Sequence, residues 1–206
     1  MIAIIDYGAG NLQSVKNALD HLDAPNFVTS VPDEIHSADG VILPGVGAFG
    51  HAMDEINKRG IADAIRKAAR NGKPFLGICV GMQLFFESSE ESPGVPGLGL
   101  MQGKVVRFRD TDGRKVPHMG WNTINVTKES RLLFDLPPEP FFYFVHSYYV
   151  KSDIRTDVSA TADYGSTFDA AVEDGSLFGL QFHPEKSGDL GLRILRRFVS
   201  LTARFI

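Results

Sequence analysis

The chain has 206 residues, of which 43% are hydrophobic and 22% charged, a balance that predicts a single globular domain over residues 1–206 and excludes collagen-like, coiled-coil and disordered classes. The formal net charge is −4 and the basic residues are scattered, so no nucleic-acid partner is expected, because phosphate binding requires a basic surface. The single cysteine, an opening without a signal-like segment and the absence of an apolar run near the roughly 20 residues that span a bilayer predict a cytoplasmic protein with no membrane contact.

The first half of the chain alternates short apolar runs with amphipathic stretches. Ile2–Ile5 is an apolar, β-branched run without polar alternation, which predicts a strand buried on both faces. A helical pattern follows from Asn11, a candidate N-cap. Further strands are predicted at residues 26–30, 41–43 and 74–78, and helices at residues 32–38, 50–70 with an interruption near Gly60, and 82–88. This alternation predicts an α/β fold with an open, mostly parallel sheet flanked by helices.

The second half is dominated by strand patterns. After a predicted loop at residues 88–99, strand-like segments occur at residues 103–108, 116–126, 141–150, 158–164, 168–173 and 177–182. Several of these are expected to form antiparallel additions at one end of the sheet. Alternation within residues 141–150 places Phe142 and Phe144 in the core. An amphipathic helix is predicted over residues 188–205.

The most informative local feature is Gly77-Ile78-Cys79-Val80-Gly81, at the junction of a predicted strand and a predicted helix. It is the cysteine counterpart of the G-x-S-x-G turn, in which small residues allow a sharp bend that presents a nucleophile at the top of a sheet. The N-terminus of the next helix would favour the thiolate, and the Val80 amide would donate to an oxyanion. A lone cysteine is more often a buried structural residue, but the two glycines and the position favour a nucleophile.

A cysteine nucleophile needs a base, and His183-Pro184-Glu185 follows the predicted strand at residues 177–182. In an extended segment residues i and i+2 point to the same side, so Glu185 is expected to orient the His183 imidazole. Both motifs would lie at the carboxyl ends of strands, where the sites of open α/β sheets form. Taken alone, the histidine motif would be interpreted as a surface turn.

The run Gly45-Val46-Gly47-Ala48-Phe49-Gly50 matches GxGxxG after a predicted strand, which raises a dinucleotide-binding interpretation. Pro44 stiffens the turn, however, and the strand that should end about 20 positions later in an acidic residue ends in Cys79 instead. A glycine-rich loop beside a nucleophile has another use, which is to direct backbone N–H groups at an oxyanion. No metal site is predicted, because the histidines lack ligand-like spacing and one cysteine cannot form a thiolate cage.

Together, these motifs and their order resemble the class I (triad) glutamine amidotransferases over essentially the whole chain. Within that family the chain is similar to the glutaminase subunits of imidazole glycerol phosphate synthases. The segments that carry this narrower resemblance are residues 4–12, residues 44–49, Pro117-His118-Met119-Gly120-Trp121-Asn122, His146-Ser147-Tyr148-Tyr149 and residues 181–187.

The resemblance implies a role for each motif. Cys79 would attack the side-chain amide of glutamine, His183 would carry a proton to the leaving ammonia, and Glu185 would hold His183. Ammonia would pass to a partner cyclase subunit, which makes imidazole glycerol phosphate and an aminoimidazole carboxamide ribonucleotide, and no cofactor is implied. The implied oxyanion donors are the amides of Val80 and of the loop of Val46 and Gly47, and the implied glutamine contacts are Gly45, Gln83, Ser147 and Tyr148.

The resemblance also assigns His118, Met119 and Trp121 to the partner face, although the residue pattern around Trp121 fits a core position equally well. Three rival interpretations stay open at this point. The chain would be an amidotransferase subunit of anthranilate, aminodeoxychorismate or pyridoxal phosphate synthesis, a non-catalytic α/β protein with an oxidisable cysteine, or a nucleotide-binding oxidoreductase. Release of glutamate from glutamine in the presence of a cyclase would separate the first interpretation from all of these.

Overall fold

The first half of the chain folds as alternating strands and helices, which confirms the predicted pattern. The computed structural model describes residues 1–8, 10–109 and 115–203. In chain order, the elements of this half are β1 (Ile2–Ile5), α1 (Leu12–His21), β2 (Asn26–Thr29), α2 (Pro32–Ser37), β3 (Gly40–Gly45), α3 (Phe49–Lys58), α4 (Ala62–Arg70), β4 (Phe75–Cys79) and α5 (Val80–Gln83). Strands β1, β3 and β4 are buried along their whole length, as expected for a parallel sheet covered by helices.

The second half contributes most of the strands. Its elements are β5 (Ser88–Ser89), β6 (Gly103–Arg107), β7 (His118–Thr123), β8 (Asn125–Val126), β9 (Phe141–His146), β10 (Tyr148–Ser152), β11 (Val158–Asp163), β12 (Thr167–Asp174), β13 (Leu177–Leu180) and α6 (Gly188–Thr202). The 3-10 turns Arg155–Asp157 and Pro184–Lys186 lie between them. None of the described helices is long and apolar enough to cross a membrane.

One mixed sheet joins the two halves. Over the described ranges it has eleven strands, with the path β2-β1-β3-β4-β13-β12-β10-β6-β5; β11 pairs with β12, and β8 pairs with β11. Neighbours from β2 to β13 are parallel, and those from β13 to β6 are antiparallel. The predicted fold class, an open sheet flanked by helices with antiparallel additions in the second half, is confirmed. The strand β13, late in the chain, lies at the join between the two halves.

A separate two-stranded sheet supports the end of β13. Strands β7 and β9 pair antiparallel, and alternate residues of β9 are buried, including Phe142 and Phe144 as predicted. Phe142 stacks on Phe182 with ring centroids 4.3 Å apart. The amide of His183 donates a hydrogen bond of 2.9 Å to the carbonyl of Tyr143. These contacts fix the segment that carries the candidate base.

The helix predicted over residues 82–88 is wrong in both bounds, because α5 spans only Val80–Gln83. The loop that follows uses the backbone carbonyls that a longer helix would need. The Leu84 carbonyl accepts from the Leu98 amide at 2.8 Å, and the Phe85 carbonyl accepts from Leu100 at 2.8 Å and Met101 at 3.0 Å. The chain therefore leaves the helix after one turn and buries its aromatic side chains under this loop.

Smaller differences occur at other helix ends. Asn11 precedes α1 as predicted, but its side-chain oxygen accepts from the Ser14 hydroxyl at 2.8 Å and makes no cap to the helix backbone. The predicted interruption near Gly60 is confirmed by the separation of α3 from α4. The terminal helix is described to Thr202, and its predicted end at Phe205 lies outside the described residues. Ala9, in the segment of residues 4–12 that carries part of the family resemblance, also lies outside them.

Candidate active site

Cys79 occupies a sharp strand-to-helix turn. It is the last residue of β4 and directly precedes α5, with φ 53° and ψ −111°. Residues other than glycine rarely adopt this combination of backbone angles, and holding one there costs about 1–3 kcal/mol of folding free energy. The side chain is 3% exposed and borders a cavity. The turn is the geometry that the cysteine motif predicts for a nucleophile.

Two glycines let α5 lie directly against the ends of the strands. A Cβ atom on Gly81 would stand 1.8 Å from the carbonyl oxygen of Leu43, and one on Gly45 would stand 2.6 Å from the amide nitrogen of Gly81. Since Gly45 is also opposite Cys79 in the pairing of β3 with β4, the glycine-rich loop begins beside the sulfur. This position favours the oxyanion interpretation of the loop over dinucleotide binding.

His183 and Glu185 form a buried hydrogen-bonded pair. Nδ1 of His183 and Oε1 of Glu185 are 2.8 Å apart, and both side chains are 1% exposed. The extended segment expected here is wrong, because Pro184–Lys186 is a 3-10 turn. The Ser187 hydroxyl donates to the His183 carbonyl at 2.6 Å, and this bond helps to close the turn. The tighter backbone still brings the two side chains together.

The surroundings of His183 favour its charged form. Burial lowers the pKa of His183, but the neighbouring Cys79 thiol, the hydrogen bond to Glu185 and the charges of both groups outweigh burial and raise it from 6.5 to about 10. Nε2, the ring nitrogen left for the interaction with Cys79, makes no hydrogen bond of standard geometry among the described residues. An imidazolium with a buried nitrogen beside a thiol can stabilise a thiolate and supply a proton to a bound molecule.

A cavity of about 370 Å³ lies in front of Cys79. It brings together most of the predicted site residues, namely Val46, Gly47, Cys79, Val80, Gln83, Ser147, Tyr148 and His183. Of the predicted catalytic and glutamine-binding residues, Gly45 and Glu185 do not line it. Gly45 lies close to Val80 and Gly81, where a Cβ atom would stand 2.8 and 2.6 Å from their atoms, and its contact with a glutamine head group stays a prediction.

Sequence analysis missed two polar residues at this site. Glu91 lines the cavity, and its Oε2 accepts a hydrogen bond of 2.7 Å from the Phe49 amide; nothing in the acidic loop distinguishes it from Glu90 beside it. Gln181 is fully buried and donates to the sulfur of Cys79 at 3.7 Å. The sequence feature that could have identified Gln181 is its position two residues before His183. Among the described residues, no group of three or more His, Cys, Asp or Glu could hold a metal ion.

The residues expected at a partner face divide between the two faces of β7. Met119 and Trp121 are 63% and 56% exposed, whereas His118 is 3% exposed. The His118 ring stacks on Tyr164 and Phe144, with centroids 4.1 and 4.9 Å away. The expectation for His118 is therefore wrong, because alternation along the strand turns it inward. Trp121 is a surface residue, which excludes the core interpretation, and its place on a partner face stays a prediction.

Comparison with known proteins gives a consistent family assignment. The family described as glutamine amidotransferase class-I matches residues 3–201. The chain is 52% identical to the imidazole glycerol phosphate synthase subunit HisH of Bacillus licheniformis, over 98% of this chain and 97% of that protein.

Two further matches concern the length of a relative and the fold. The chain is 47% identical to the chloroplastic imidazole glycerol phosphate synthase hisHF of Arabidopsis thaliana, over 97% of this chain but only 34% of that protein. A solved structure of a glutamine amidotransferase superimposes with a TM-score of 0.75, covering 98% of this chain and 100% of that one, at 22% identity. The last match shows a shared fold.

Proposed function

The chain belongs to the class I glutamine amidotransferase family, and from this premise we propose that it is the glutaminase subunit of an imidazole glycerol phosphate synthase, an enzyme of histidine biosynthesis. The observation that carries the proposal is that Cys79 and His183 line the same cavity while Glu185 is hydrogen-bonded to the His183 ring. The choice of pathway is supported by full-length relatives that bear this name, at 52% identity in one case. No observation favours the other amidotransferase pathways, a non-catalytic protein or an oxidoreductase.

The proposed reaction begins at the sulfur. The Cys79 thiolate attacks the side-chain carbonyl carbon of glutamine, and the carbonyl electrons move onto oxygen to form a tetrahedral oxyanion. His183, protonated and oriented by Glu185, gives a proton to the amide nitrogen, so that the carbon–nitrogen bond breaks and ammonia leaves. A γ-glutamyl thioester remains on Cys79. Water, deprotonated by His183, then hydrolyses the thioester to glutamate and restores the thiolate.

The oxyanion needs hydrogen-bond donors beside the sulfur. The Val80 amide at the start of α5 and an amide of the loop of Val46 and Gly47 are the proposed donors, since both segments line the cavity. Gly47 has φ +89° and open space around it, so the preceding peptide has room to turn. Loss of one such donor lowers kcat by about 10²–10³, so rotation of this peptide would switch the enzyme between silent and active states.

The substrate requires recognition at both ends. Gln83, Ser147 and Tyr148 line the cavity and are the proposed contacts of the glutamine head group. Glu91 supplies a carboxylate on the same wall, and a carboxylate is the side chain that best matches an ammonium group. We place the α-amino group of glutamine beside Glu91. The wall therefore offers acceptors for a free amino acid.

Ammonia is useful only if it reaches a second reaction before water protonates it. A cyclase subunit is the proposed partner, and the exposed pair Met119 and Trp121 is its proposed docking surface. The match to about a third of the Arabidopsis hisHF protein is consistent with a second, larger unit that works beside this one. The cytoplasm is the proposed location, because a reducing compartment keeps the Cys79 thiol free.

Glutamate release measured in three mixtures tests the proposal: the chain alone, the chain with a cyclase subunit of imidazole glycerol phosphate synthase, and both with the nucleotide substrate of the cyclase. We expect little release from the chain alone and the highest rate in the third mixture, together with imidazole glycerol phosphate. Cys79→Ala should abolish release, because the chain has no second cysteine. Absence of glutamate in all three mixtures, or full activity of Cys79→Ala, would overturn the proposal.

A further inference from the structure

Two glutamine side chains form a hydrogen-bonded bridge behind the sulfur. Gln181 is fully buried, and its Nε2 donates to Sγ of Cys79 at 3.7 Å. Its Oε1 accepts a bond of 3.1 Å from Nε2 of Gln83, and the same nitrogen of Gln83 donates to the carbonyl of Tyr148 at 2.9 Å. Taking the glutaminase function as given, we propose that Gln181 is a positioning residue that holds an N–H group on the Cys79 thiolate and fixes the side chain of Gln83.

The direction of this bridge follows from one backbone group. The Tyr148 carbonyl can only accept hydrogen bonds, so the Gln83 atom facing it must be the amide nitrogen. The second N–H of that nitrogen then points to Gln181, which must present its oxygen. The NH₂ group of Gln181 is left facing the sulfur. The carbonyl oxygen of Tyr148, which can only accept hydrogen bonds, thus sets the orientation of both glutamine side chains.

The Tyr148 carbonyl is itself held in place. It accepts a second hydrogen bond of 2.8 Å from Nδ1 of His146, a ring that is buried and uncharged because burial lowers its pKa to about 3. Nε2 of His146 is then free to accept from His118, whose Nδ1 is 3.0 Å away. A neutral imidazole that donates to a carbonyl keeps that carbonyl fixed through the physiological pH range. The bridge therefore starts from a rigid point.

An N–H group on the sulfur acts on the charged form of the nucleophile. A hydrogen bond to a charged acceptor is stronger than one to a neutral acceptor, so the Gln181 contact stabilises the thiolate more than the thiol. The titratable groups that act on the same sulfur are His183, which favours the thiolate, and Tyr7, a buried phenol whose pKa burial raises. Gln181 adds a neutral hydrogen-bond donor to the sulfur, separate from the proposed base His183. It supplies no proton, and it is not among the residues that line the cavity.

The backbone explains why a glutamine at this place reaches the sulfur. Gln181 directly follows β13, and its amide donates to the Ala170 carbonyl of β12 at 2.9 Å. The parallel pairing of β13 with β4 sets Leu180 opposite Ile78, so residue 181 comes level with Cys79. Gln181 and His183 stand two residues apart in this segment, and both side chains approach the same sulfur.

Alkylation of the purified chain by iodoacetamide tests the inference, because the chain has one cysteine and the rate reports its thiolate. Gln181→Met keeps the length of the side chain and removes the donor, and Gln181→Glu places a carboxylate against the sulfur. We expect the midpoint of the pH–rate curve to move to higher pH in the Met variant, and the rate at pH values below the midpoint to fall about tenfold, the weak end of a hydrogen bond to a charged group. The Glu variant should shift further in the same direction.

The controls separate positioning from folding. Thr202→Val removes a buried hydroxyl bond to the Val199 carbonyl, away from the cavity, and should lower the Tm without moving the pH midpoint. In the wild-type chain, the side-chain amide resonances of Gln181 should shift over the pH range in which alkylation rises. With cyclase present, Gln181→Met should also raise the KM for glutamine, because Gln83 loses its anchor.

The outcomes distinguish this inference from the function it rests on. If the wild-type complex releases no glutamate, the proposed function fails whatever Gln181 does. If the wild-type complex is active and Gln181→Met keeps the wild-type pH midpoint, or the Gln181 amide resonances do not respond to titration of the thiol, the positioning role is wrong. A lower Tm with an unchanged pH midpoint would assign Gln181 to packing alone.

Discussion

Lowering the pH from 7.5 to 5.0 should remove the stabilising contribution of one buried side chain, His146. This ring is buried among Phe108, Phe144 and Phe168, with centroids 5.2, 5.7 and 5.3 Å from its own. Burial lowers its pKa from 6.5 to about 3, against the opposing effect of the bond to the Tyr148 carbonyl. The folded ring therefore stays neutral in a pH range in which the unfolded ring takes up a proton.

The sign and size follow from the two pKa values. Since the folded pKa is depressed, the contribution of His146 is complete above the unfolded value of 6.5 and is lost as the pH falls towards 3. Between pH 7.5 and 5.0, one proton taken up only by the unfolded chain corresponds to about 2 kcal/mol of lost unfolding free energy. His183 acts in the opposite direction over this interval, because its folded pKa is raised and its stabilising contribution therefore grows as the pH falls from 7.5 through 6.5. The contribution of His146 is therefore obtained as the difference between the wild type and a variant that lacks this ring.

Urea unfolding at pH 7.5 and pH 5.0 measures the contribution of His146 to the free energy of unfolding. In His146→Asn the amide can still donate to the Tyr148 carbonyl but does not titrate, so the variant should lose about 2 kcal/mol less than the wild type over the same interval. Replacing the exposed histidine in His36→Asn should leave the wild-type pH dependence in place. Parallel pH profiles for the wild type and His146→Asn would refute the reasoning.

Three further predictions concern the triad and the docking surface. Because the pKa of His183 is raised, its stabilising contribution is complete below pH 6.5 and lost towards pH 10, so Glu185→Gln should flatten the alkaline fall in unfolding free energy measured in urea. His183→Ala should reduce kcat for glutamine by at least about 100-fold, and this reduction should be larger than that caused by Glu185→Ala. Steady-state rates of both variants, measured with cyclase, give the ranking, and the reverse order would point to a different base. Titration with a tryptophan-free cyclase should change the fluorescence of the exposed Trp121, and an unchanged spectrum on binding would place the docking surface elsewhere.

The geometry of the candidate site was predictable where it depends on neighbours in sequence. The glycines around Cys79 require a tight turn wherever they occur, and β4 and α5 meet in such a turn. His183 and Glu185 are too close in the chain to separate, so they pair even though the backbone between them is a 3-10 turn. The burial of the strands in the first half could also be predicted from the sequence, because an apolar run without polar alternation has no polar face to expose.

The pairing of distant segments was not predictable. Periodicity indicates that β13 is buried, but it does not identify β4 and β12 as its neighbours. The bond between Gln83 and Gln181 depends on that pairing, so no local pattern could show it. The family resemblance placed His118 on the partner face beside Trp121, and only the burial of alternate residues along β7 separated the two.

The place of β13 in the sheet also determines when a newly made chain becomes reactive. Synthesis proceeds from the N-terminus at about 5–20 residues per second, so Cys79 leaves the ribosome several seconds before His183. Until β13 inserts between β4 and β12, the thiol lacks its proposed base, His183, and the edge of β4 is open to other strands. A nascent chain is thus protected from releasing ammonia prematurely, but it passes through a stage in which its parallel half is vulnerable to aggregation.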